Sequence, residues 1–591
     1  MPGNPLLDVE HLIVRFRIEG GETIAVDDIS FQLGKREILG IVGESGSGKT
    51  VTALSILGLI PDPPGKVTVK AIRFISSSGQ EMRLDTLPER ELEKIRGRSI
   101  SMIFQEPMTS LNPVFTCGEQ VSETLQRHLG ISNKAARERV LGLFSEVRLP
   151  EPPRIFRSYP HELSGGQKQR VMIAMAISCN PSLLIADEPT TALDVSVQKT
   201  ILDLLQRLQQ KRNMSILFIT HDLGLISRFA DRIAVMYQGK IVEEGEVRRV
   251  FEHPQHPYTQ GLIACRPPLD VRLRRLLTVG DYMGSVTRDE GRGTNDEEES
   301  LITDRASRIP DQHEIISREE RVADHKKLYS QEPVLKVEHI GKKFSKGSGW
   351  LYGERESMRA LEDVSFLLYP GETLGIAGES GCGKTTLSRV ILRLIPPSEG
   401  RIRYKDKDIT TLTRSQLKSL HKDLQIVFQD PYSSLNPRMM IGEAIREPME
   451  VHHLSGTRHQ RTEKVNVLLQ KVGLKPEHYF RYPHEFSGGQ RQRICIARAL
   501  AVEPRLIICD ESVSALDISI QAQILNLLND LKRELQLTYI FISHDLNVVK
   551  YMSDRLIVMK EGRIVEMGDP EEIYVHPKSE YTKVLLEAMG D

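Results

Sequence analysis

The chain holds 591 residues, beyond the roughly 250 to 300 at which a single hydrophobic core stops growing, so at least two domains are expected. Hydrophobic residues make up 39%, charged residues 27% and aromatics 5%, an ordinary globular balance that excludes fibrous and wholly disordered classes. With 79 basic against 80 acidic side chains the formal net charge is -1, which leaves no global attraction to nucleic acid or anionic lipid.

The sequence has no run of about 20 apolar residues, the length a membrane-spanning helix needs. The N-terminus, MPGNPLLDVE, also lacks the charged and apolar regions of a signal peptide. A cytosolic chain is expected, with any membrane role coming through partners. The cysteines, at 117, 179, 265, 382, 495 and 509, form no CxxC pair. Reduced thiols are expected rather than a disulfide framework.

In chain order, IVRFRI carries Phe16, and then ILGIVGESGSGKTVTALSIL runs from an apolar strand through a glycine-rich turn into a helix, the context a phosphate loop needs. In Gly43, Glu44, Ser45, Gly46, Ser47 and Gly48, the glycines let backbone N–H groups converge where a Cβ would obstruct, and the helix start adds positive potential. Lys49 is placed to bridge the β- and γ-phosphates and Thr50 to ligate magnesium. The phrase FQEPMTSLNP, with Gln105, follows. In SYPHELSGGQKQR, Ser164 is an N-cap, Gly165 and Gly166 permit close backbone approach, and Gln167 opens a stretch of helical periodicity. LLIADE is a buried strand ending in two carboxylates; Asp187 would hold magnesium through water and Glu188 would polarise an attacking water. His221 closes the apolar strand ILFITHD, placed to contact a γ-phosphate. A lone histidine there is more often structural, so its weight comes from its neighbours.

The phrases then recur in the same order. GKKFSK carries Phe344, and GESGCGKT supplies Gly378, Glu379, Ser380, Gly381, Cys382, Gly383, Lys384 and Thr385. FQDPYSSLNP contains Gln429, RYPHEFSGGQRQR contains Ser487, Gly489 and Gln490, LIICDE ends in Asp510 and Glu511, and YIFISHD ends just past His544. One phosphate-loop pattern is a plausible accident, but two in matching contexts are not, and the repeat means two copies of one fold. The lysine-to-glutamine spacing is 56 residues in the first copy and 45 in the second, whereas signature serine to histidine is 57 in both. The first copy thus carries an insert in its front half only. Between the copies, residues 270–330 hold 14 acids and 11 bases, including NDEEES. A mostly disordered tether is expected, with a short helix around Arg272 to Val279.

Together these motifs resemble the ATP-binding cassette (ABC) ATPases, over nearly everything except the tether. The resemblance implies an α/β fold of two P-loop NTPase cassettes in tandem, each with a RecA-like core, an antiparallel β subdomain and a helical subdomain. The expected boundaries are 1–267, a flexible charged linker over 268–331, and 332–591. In that family the signature completes the ATP site of the opposite cassette. By that resemblance Lys49, Thr50, Gln105, Asp187, Glu188 and His221 would work with Ser487, Gly489 and Gln490, and Lys384, Thr385, Gln429, Asp510, Glu511 and His544 with Ser164, Gly166 and Gln167. The resemblance gives catalytic roles to Glu188, Glu511, His221 and His544, and magnesium to Thr50, Gln105, Asp187, Thr385, Gln429 and Asp510. It gives adenine stacking to Phe16 and Phe344; a core phenylalanine at a strand end is the competing reading. Asp194 and Asp517 match the loop at which the family's two halves meet. Phe486 stands where the first signature has leucine, and Ser512 where the first copy has Pro189. Neither departure removes a catalytic group, so two working sites are expected.

The wording FQ(E/D)P followed by SLNP, and the extensions HPQHPYTQGLIACRPPL and HPKSEYTKVLLEAM, are similar to the oligopeptide, dipeptide and nickel importer branch. That implies an ATP-hydrolysing subunit on the cytoplasmic side of the inner membrane. Two permease subunits and, indirectly, an extracytoplasmic solute-binding protein would be its partners, with no nucleic acid and no membrane insertion of its own. A metal site of His253, His256 and Cys265 competes poorly, because prolines break its helical spacing. Some relatives carry an iron-sulfur site in this extension; only Cys265 is present here, and no cluster is expected. The alternative is a soluble tandem cassette ATPase acting on ribosomes, whose tether is typically a basic helical hairpin.

Overall fold

The computed structural model describes residues 5–18, 21–76, 79–105, 110–190, 195–268, 271–283, 315–345, 357–454, 456–514 and 516–589. They divide into two compact units, one for each copy of the repeat.

In the first unit, Leu7–Ile18 and Gly21–Leu33 pair antiparallel, and Ala71–Ile75, Glu81–Arg83 and Gly65–Thr68 complete a sheet of five strands. In Leu7–Ile18, Leu7, Val9, Leu12 and Val14 are buried and the residues between them are not, as expected of a sheet with one face on the core. The second sheet has six strands in the order Lys240–Glu246, Arg232–Tyr237, Ile38–Val42, Ser215–Thr220, Leu183–Asp187 and Ile100–Ile103. All its pairings are parallel except the first. Every residue of Ile38–Val42, Leu183–Asp187 and Ser215–Thr220 is buried, the sign of a parallel sheet covered on both faces. These three parallel strands therefore end on one edge, where open α/β sheets bind ligands. Helices Cys117–Leu129, Asn133–Glu146, Pro152–Arg157 and Gly165–Ala176 form a separate layer. Leu39, Ile41, Leu183, Ile185, Leu217 and Ile219 join the core with Leu7, Val9 and Phe74 from the antiparallel sheet.

The second unit repeats the plan. Its parallel sheet runs Leu424–Val427, Leu506–Asp510, Thr538–Ile542, Thr373–Ala377, Arg555–Lys560, with Arg563–Gly568 antiparallel at the end. Its antiparallel sheet has four strands, Leu335–Ser345, Ser357–Leu368, Glu399–Tyr404 and Lys407–Asp408. The insert of the first copy shows here: Gly65–Thr68 and Ala71–Ile75 both pair with Leu7–Ile18, where the second copy uses the single strand Glu399–Tyr404 on Leu335–Ser345.

The flanks of the segment expected to be a flexible linker are built into the second unit. Leu273 bridges Ile315 antiparallel, and the Asn526 side chain accepts from the Leu276 N–H at 2.9 Å and donates to its carbonyl at 2.9 Å. Helix Arg318–Leu328 starts on Ser317, whose hydroxyl accepts from the Glu320 N–H. Arg321 pairs with Asp569 and, at 3.2 Å, with Glu571. The helix expected around Arg272 to Val279 is therefore displaced: helical backbone begins only at Val279. The physical reason is that Asn526 and the Ile315 bridge take up the backbone groups that helical bonds would use. Residues 284–314, with the acidic run, lie outside the described residues. Among the described residues no helix is long and apolar enough to cross a membrane.

Candidate active site

The phosphate loop leaves Ile38–Val42 and enters helix Lys49–Ile56 through Gly48, whose φ is 100°. A Cβ at Gly48 would stand 2.4 Å from the Ala25 carbonyl oxygen, so only glycine combines this left-handed turn with so close an approach. Gly383 makes the same turn at φ 107°, 2.6 Å from the Ala360 oxygen by the same measure. At the crest Ser45 and Gly46 are exposed, as are Ser380 and Gly381, while Ser47 and Cys382 turn inward and are buried. The Ser47 hydroxyl has no hydrogen-bond partner, which leaves a donor inside the loop.

Beneath the crest, Lys49 is buried and its Nζ donates to the carbonyls of Gly43 and Glu44, both at 2.7 Å. Lys384 does the same to Gly378 at 2.7 Å and Glu379 at 3.0 Å. Each ammonium is thus held by its own loop in a position from which it can turn to an incoming anion. The carboxylates come from the next strand but one in each sheet. Thr50 Oγ1 donates to Asp187 Oδ1 at 3.1 Å, and Thr385 Oγ1 to Asp510 Oδ1 at 3.3 Å. Burial pushes the Asp187 carboxyl up to about 6, with the Glu188 charge adding to it and Thr50 and Lys49 opposing. Asp510 is also raised, again mainly by burial.

Glu188 and Glu511 follow in left-handed backbone, at φ 46° and 49°, unusual for a non-glycine residue. Each is fixed by its N–H, which donates to Ile219 or Ile542 at 2.9 Å. Gln105 Nε2 donates to Glu188 at 2.9 Å, and Gln429 Nε2 to Glu511 at 2.8 Å. His221 Nδ1 lies 3.2 Å from Glu188, and His544 Nδ1 3.7 Å from Glu511. Burial pushes Glu511 up, but the His544 hydrogen bond and the nearby Lys384, 3.7 Å away, outweigh it and hold the carboxyl below its usual range. In both copies, then, lysine, threonine, glutamine, two acids and histidine from separate stretches of chain are gathered at one sheet edge. Backbone strain at a glutamate so thoroughly held is of the kind that clusters at functional sites.

The signature residues are placed differently. Ser164 starts helix Gly165–Ala176 with a reciprocal cap: its Oγ accepts from the Gln167 N–H at 3.4 Å and its N–H donates to Gln167 Oε1 at 3.1 Å. Ser487 and Gln490 repeat this at the same distances. A Cβ on Gly489 would meet Ile520 at 2.4 Å, and one on Gly166 would meet Val197 at 3.0 Å. These glycines therefore also serve packing against the next long helix, a role the sequence pattern did not reveal. Phe16 is half-buried and packs against the core, with Gly65 beneath its ring, while Phe344 is 42% exposed under Lys342. Core packing describes Phe16; a partly exposed ring with a lysine ammonium over it describes Phe344. Asp517 heads helix Ile518–Leu535; Asp194 lies outside the described residues, as do Glu106 to Thr109 of the first FQ phrase.

One site residue was missed. Ser388 Oγ donates to Asp510 Oδ2 at 3.0 Å, from the position four after Lys384, on the same helix face. Helical spacing alone could have found it; Ala53 is its counterpart in the first copy.

Fold and site define a tandem P-loop nucleoside triphosphatase, with two complete sets of phosphate-binding and carboxylate groups. The family model described as ABC transporter matches residues 26–191 and 361–514, and the one described as Oligopeptide/dipeptide transporter, C-terminal region, matches 242–291. The glutathione import ATP-binding protein GsiA of Salmonella typhimurium is 44% identical over 589 residues, covering 99% of this chain and 89% of that protein. Its counterparts in Pectobacterium atrosepticum, at 44% over 100% and 90%, and in Escherichia coli O6:H1, at 45% over 99% and 89%, are equally similar. The chain belongs to the ABC transporter family of ATP-binding proteins, and it is an ATPase of that family. The ribosomal alternative finds no support in these matches.

Proposed function

We propose that the chain is the energy-coupling subunit of an importer for peptide-like solutes, with glutathione or a short peptide as the cargo class. The observation that carries the ATPase half is the twinned glutamate: Glu188 and Glu511 sit in strained backbone between a glutamine and a histidine in both copies. The import half rests on relatives named for glutathione import that align along 99% or more of this chain.

In this reading Lys49 and Lys384 leave their loop carbonyls for the β- and γ-phosphates, and loop N–H groups cradle the oxygens. Glu188 and Glu511 orient and deprotonate the attacking water, while His221 and His544 contact the γ-phosphate. Thr50, Asp187 and Gln105, with Thr385, Asp510 and Gln429, offer oxygen donors of the hard kind that suit magnesium, and the Thr50–Asp187 contact of 3.1 Å already brings two of them together. Bound there, magnesium would neutralise charge on the phosphates. Ser164, Gly166 and Gln167, with Ser487, Gly489 and Gln490, would each complete the other cassette's site. ATP binding and hydrolysis would then shift a two-state equilibrium that two permease subunits read at the cytoplasmic side of the membrane, with a solute-binding protein delivering cargo.

The test is uptake in cells lacking this chain. Labelled glutathione or dipeptide uptake should fall to background and return with the wild-type gene but not with one lacking both lysines. Unchanged uptake of both solutes would reject the cargo class while leaving the ATPase assignment standing.

A further inference from the structure

The two C-terminal extensions carry the phrases HPYT and SEYT, and the hydrolytic chemistry makes no use of them. Each places one tyrosine against a phosphate loop. The Glu44 N–H donates to the Tyr258 hydroxyl at 3.0 Å, and the Glu379 N–H to the Tyr581 hydroxyl at 3.2 Å. We propose that Tyr258 and Tyr581 are positioning residues that fix the peptide unit on which each phosphate-loop lysine rests, and so tune ATP affinity.

The peptide unit joining Gly43 to Glu44 has two polar ends. Its carbonyl accepts from Lys49 Nζ at 2.7 Å and its N–H donates to Tyr258. In the second copy the Gly378 carbonyl accepts from Lys384 Nζ at 2.7 Å while the Glu379 N–H donates to Tyr581. Hydrogen bonds in series polarise one another, and a peptide plane bonded at both ends cannot rotate without breaking one. The hydroxyl therefore sets the direction of the carbonyl that holds the lysine, and the entry angle of the loop behind it.

The tyrosines are themselves held. Tyr258 is fully buried, its ring 4.3 Å from that of Tyr237, and its N–H donates to His256 Nδ1 at 3.1 Å. Glu243 accepts from the N–H groups of Gln255 at 2.8 Å and His256 at 3.1 Å. Glu566 plays the same part in the second copy, accepting from Lys578 at 2.9 Å and Ser579 at 3.1 Å, and Lys560 lies 5.0 Å over the Tyr581 ring. The same clamp thus appears twice, although the segments differ in sequence between histidine and tyrosine, HPQHPY against HPKSEY. Because the latched peptide does not touch the reacting atoms, its loss acts on nucleotide binding and leaves the rate at saturation alone.

This inference rests on the phosphate-loop reading, and the experiment separates the two. In the full chain, Tyr258→Phe and Tyr581→Phe remove only the hydroxyls; Tyr258→Ala and Tyr581→Ala remove the rings too. Fluorescent-ATP affinity, the KM for ATP, kcat and Tm are measured for each. Expected is a rise of about threefold to tenfold in KM and Kd in the Phe double variant, the size of one hydrogen bond, with kcat unchanged and Tm within about 4 °C of wild type. The Ala variants should lose Tm as well, and Phe should restore the Tm but not the affinity. Wild-type affinity in the Phe double variant would overturn the proposal, and so would a Phe variant that fails to fold, since that assigns the hydroxyl to folding. Undiminished ATP binding by Lys49→Ala with Lys384→Ala would instead overturn the phosphate-loop reading.

Discussion

Asp187 receives one hydroxyl, from Thr50 at 3.1 Å, whereas Asp510 receives two, from Thr385 at 3.3 Å and Ser388 at 3.0 Å. Around the glutamates the ordering differs again: His221 lies 3.2 Å from Glu188 but His544 lies 3.7 Å from Glu511. The inner loop position is Ser47 in one copy and Cys382 in the other. Thus the two sites share every group with a proposed role in hydrolysis and differ in one buried phosphate-loop side chain and in what steadies those groups. Two sets of the same proposed groups need not be equal in pH response or affinity, and the comparison can be broken one contact at a time.

The largest effect is expected from the lysines. Lys49→Ala and Lys384→Ala should each lower affinity at its own site by about 100-fold or more, since a buried charge-assisted contact to phosphate is lost. Binding stoichiometry would fall from two nucleotides to one in either single variant and to none in the double. Two nucleotides bound by a single variant would mean that the sites are not independent pockets of this kind.

Next come the buried acids. Because the folded pKa of Asp187 is raised to about 6, against roughly 3.9 unfolded, the native state holds the proton more tightly. The stability this gives is complete below the unfolded value and is lost as pH climbs through about 6. Asp187→Asn should therefore stabilise the nucleotide-free protein by about 3 kcal/mol at pH 8 and by about half as much at pH 5, while abolishing hydrolysis at its site. Chemical denaturation at the two pH values reads this directly. Equal stabilisation at both would show that burial of the charge is not the cause.

Smallest is the serine. Ser388→Ala should weaken the hold on Asp510 by about 1 kcal/mol, visible as an upward shift in the pH below which magnesium-ATP binding at the second site fails. Ala53→Ser should move the first site the other way. A null result in both would mean that this hydroxyl does not distinguish the sites.

Much of the site was legible because phosphate binding demands fixed letters at fixed spacing. Gly43 to Thr50, the acid pairs and the histidines all sit at strand ends that apolar runs announce, and Gln105 and Gln429 followed from the repeated phrase. What escaped depends on contacts between distant stretches. Arg272 to Thr278 reads as tether with a short helix, yet the Leu276 backbone is claimed by Asn526, 250 residues on, and no local pattern carries that. Gly166 and Gly489 read as anion contacts, whereas their packing against Val197 and Ile520 belongs to helix crossing. Tyr258 reads as part of a family phrase, but its bond to Glu44 spans 214 residues.

Glu188 and Glu511 are proposed as the bases of two ATPase sites on one chain. Replacing both by Gln keeps their size and their place beside Gln105 and Gln429 while removing the charge. The steady-state ATPase rate of that double variant should fall by about 100-fold or more, with ATP affinity retained at both sites. Hydrolysis at near the wild-type rate would contradict the account.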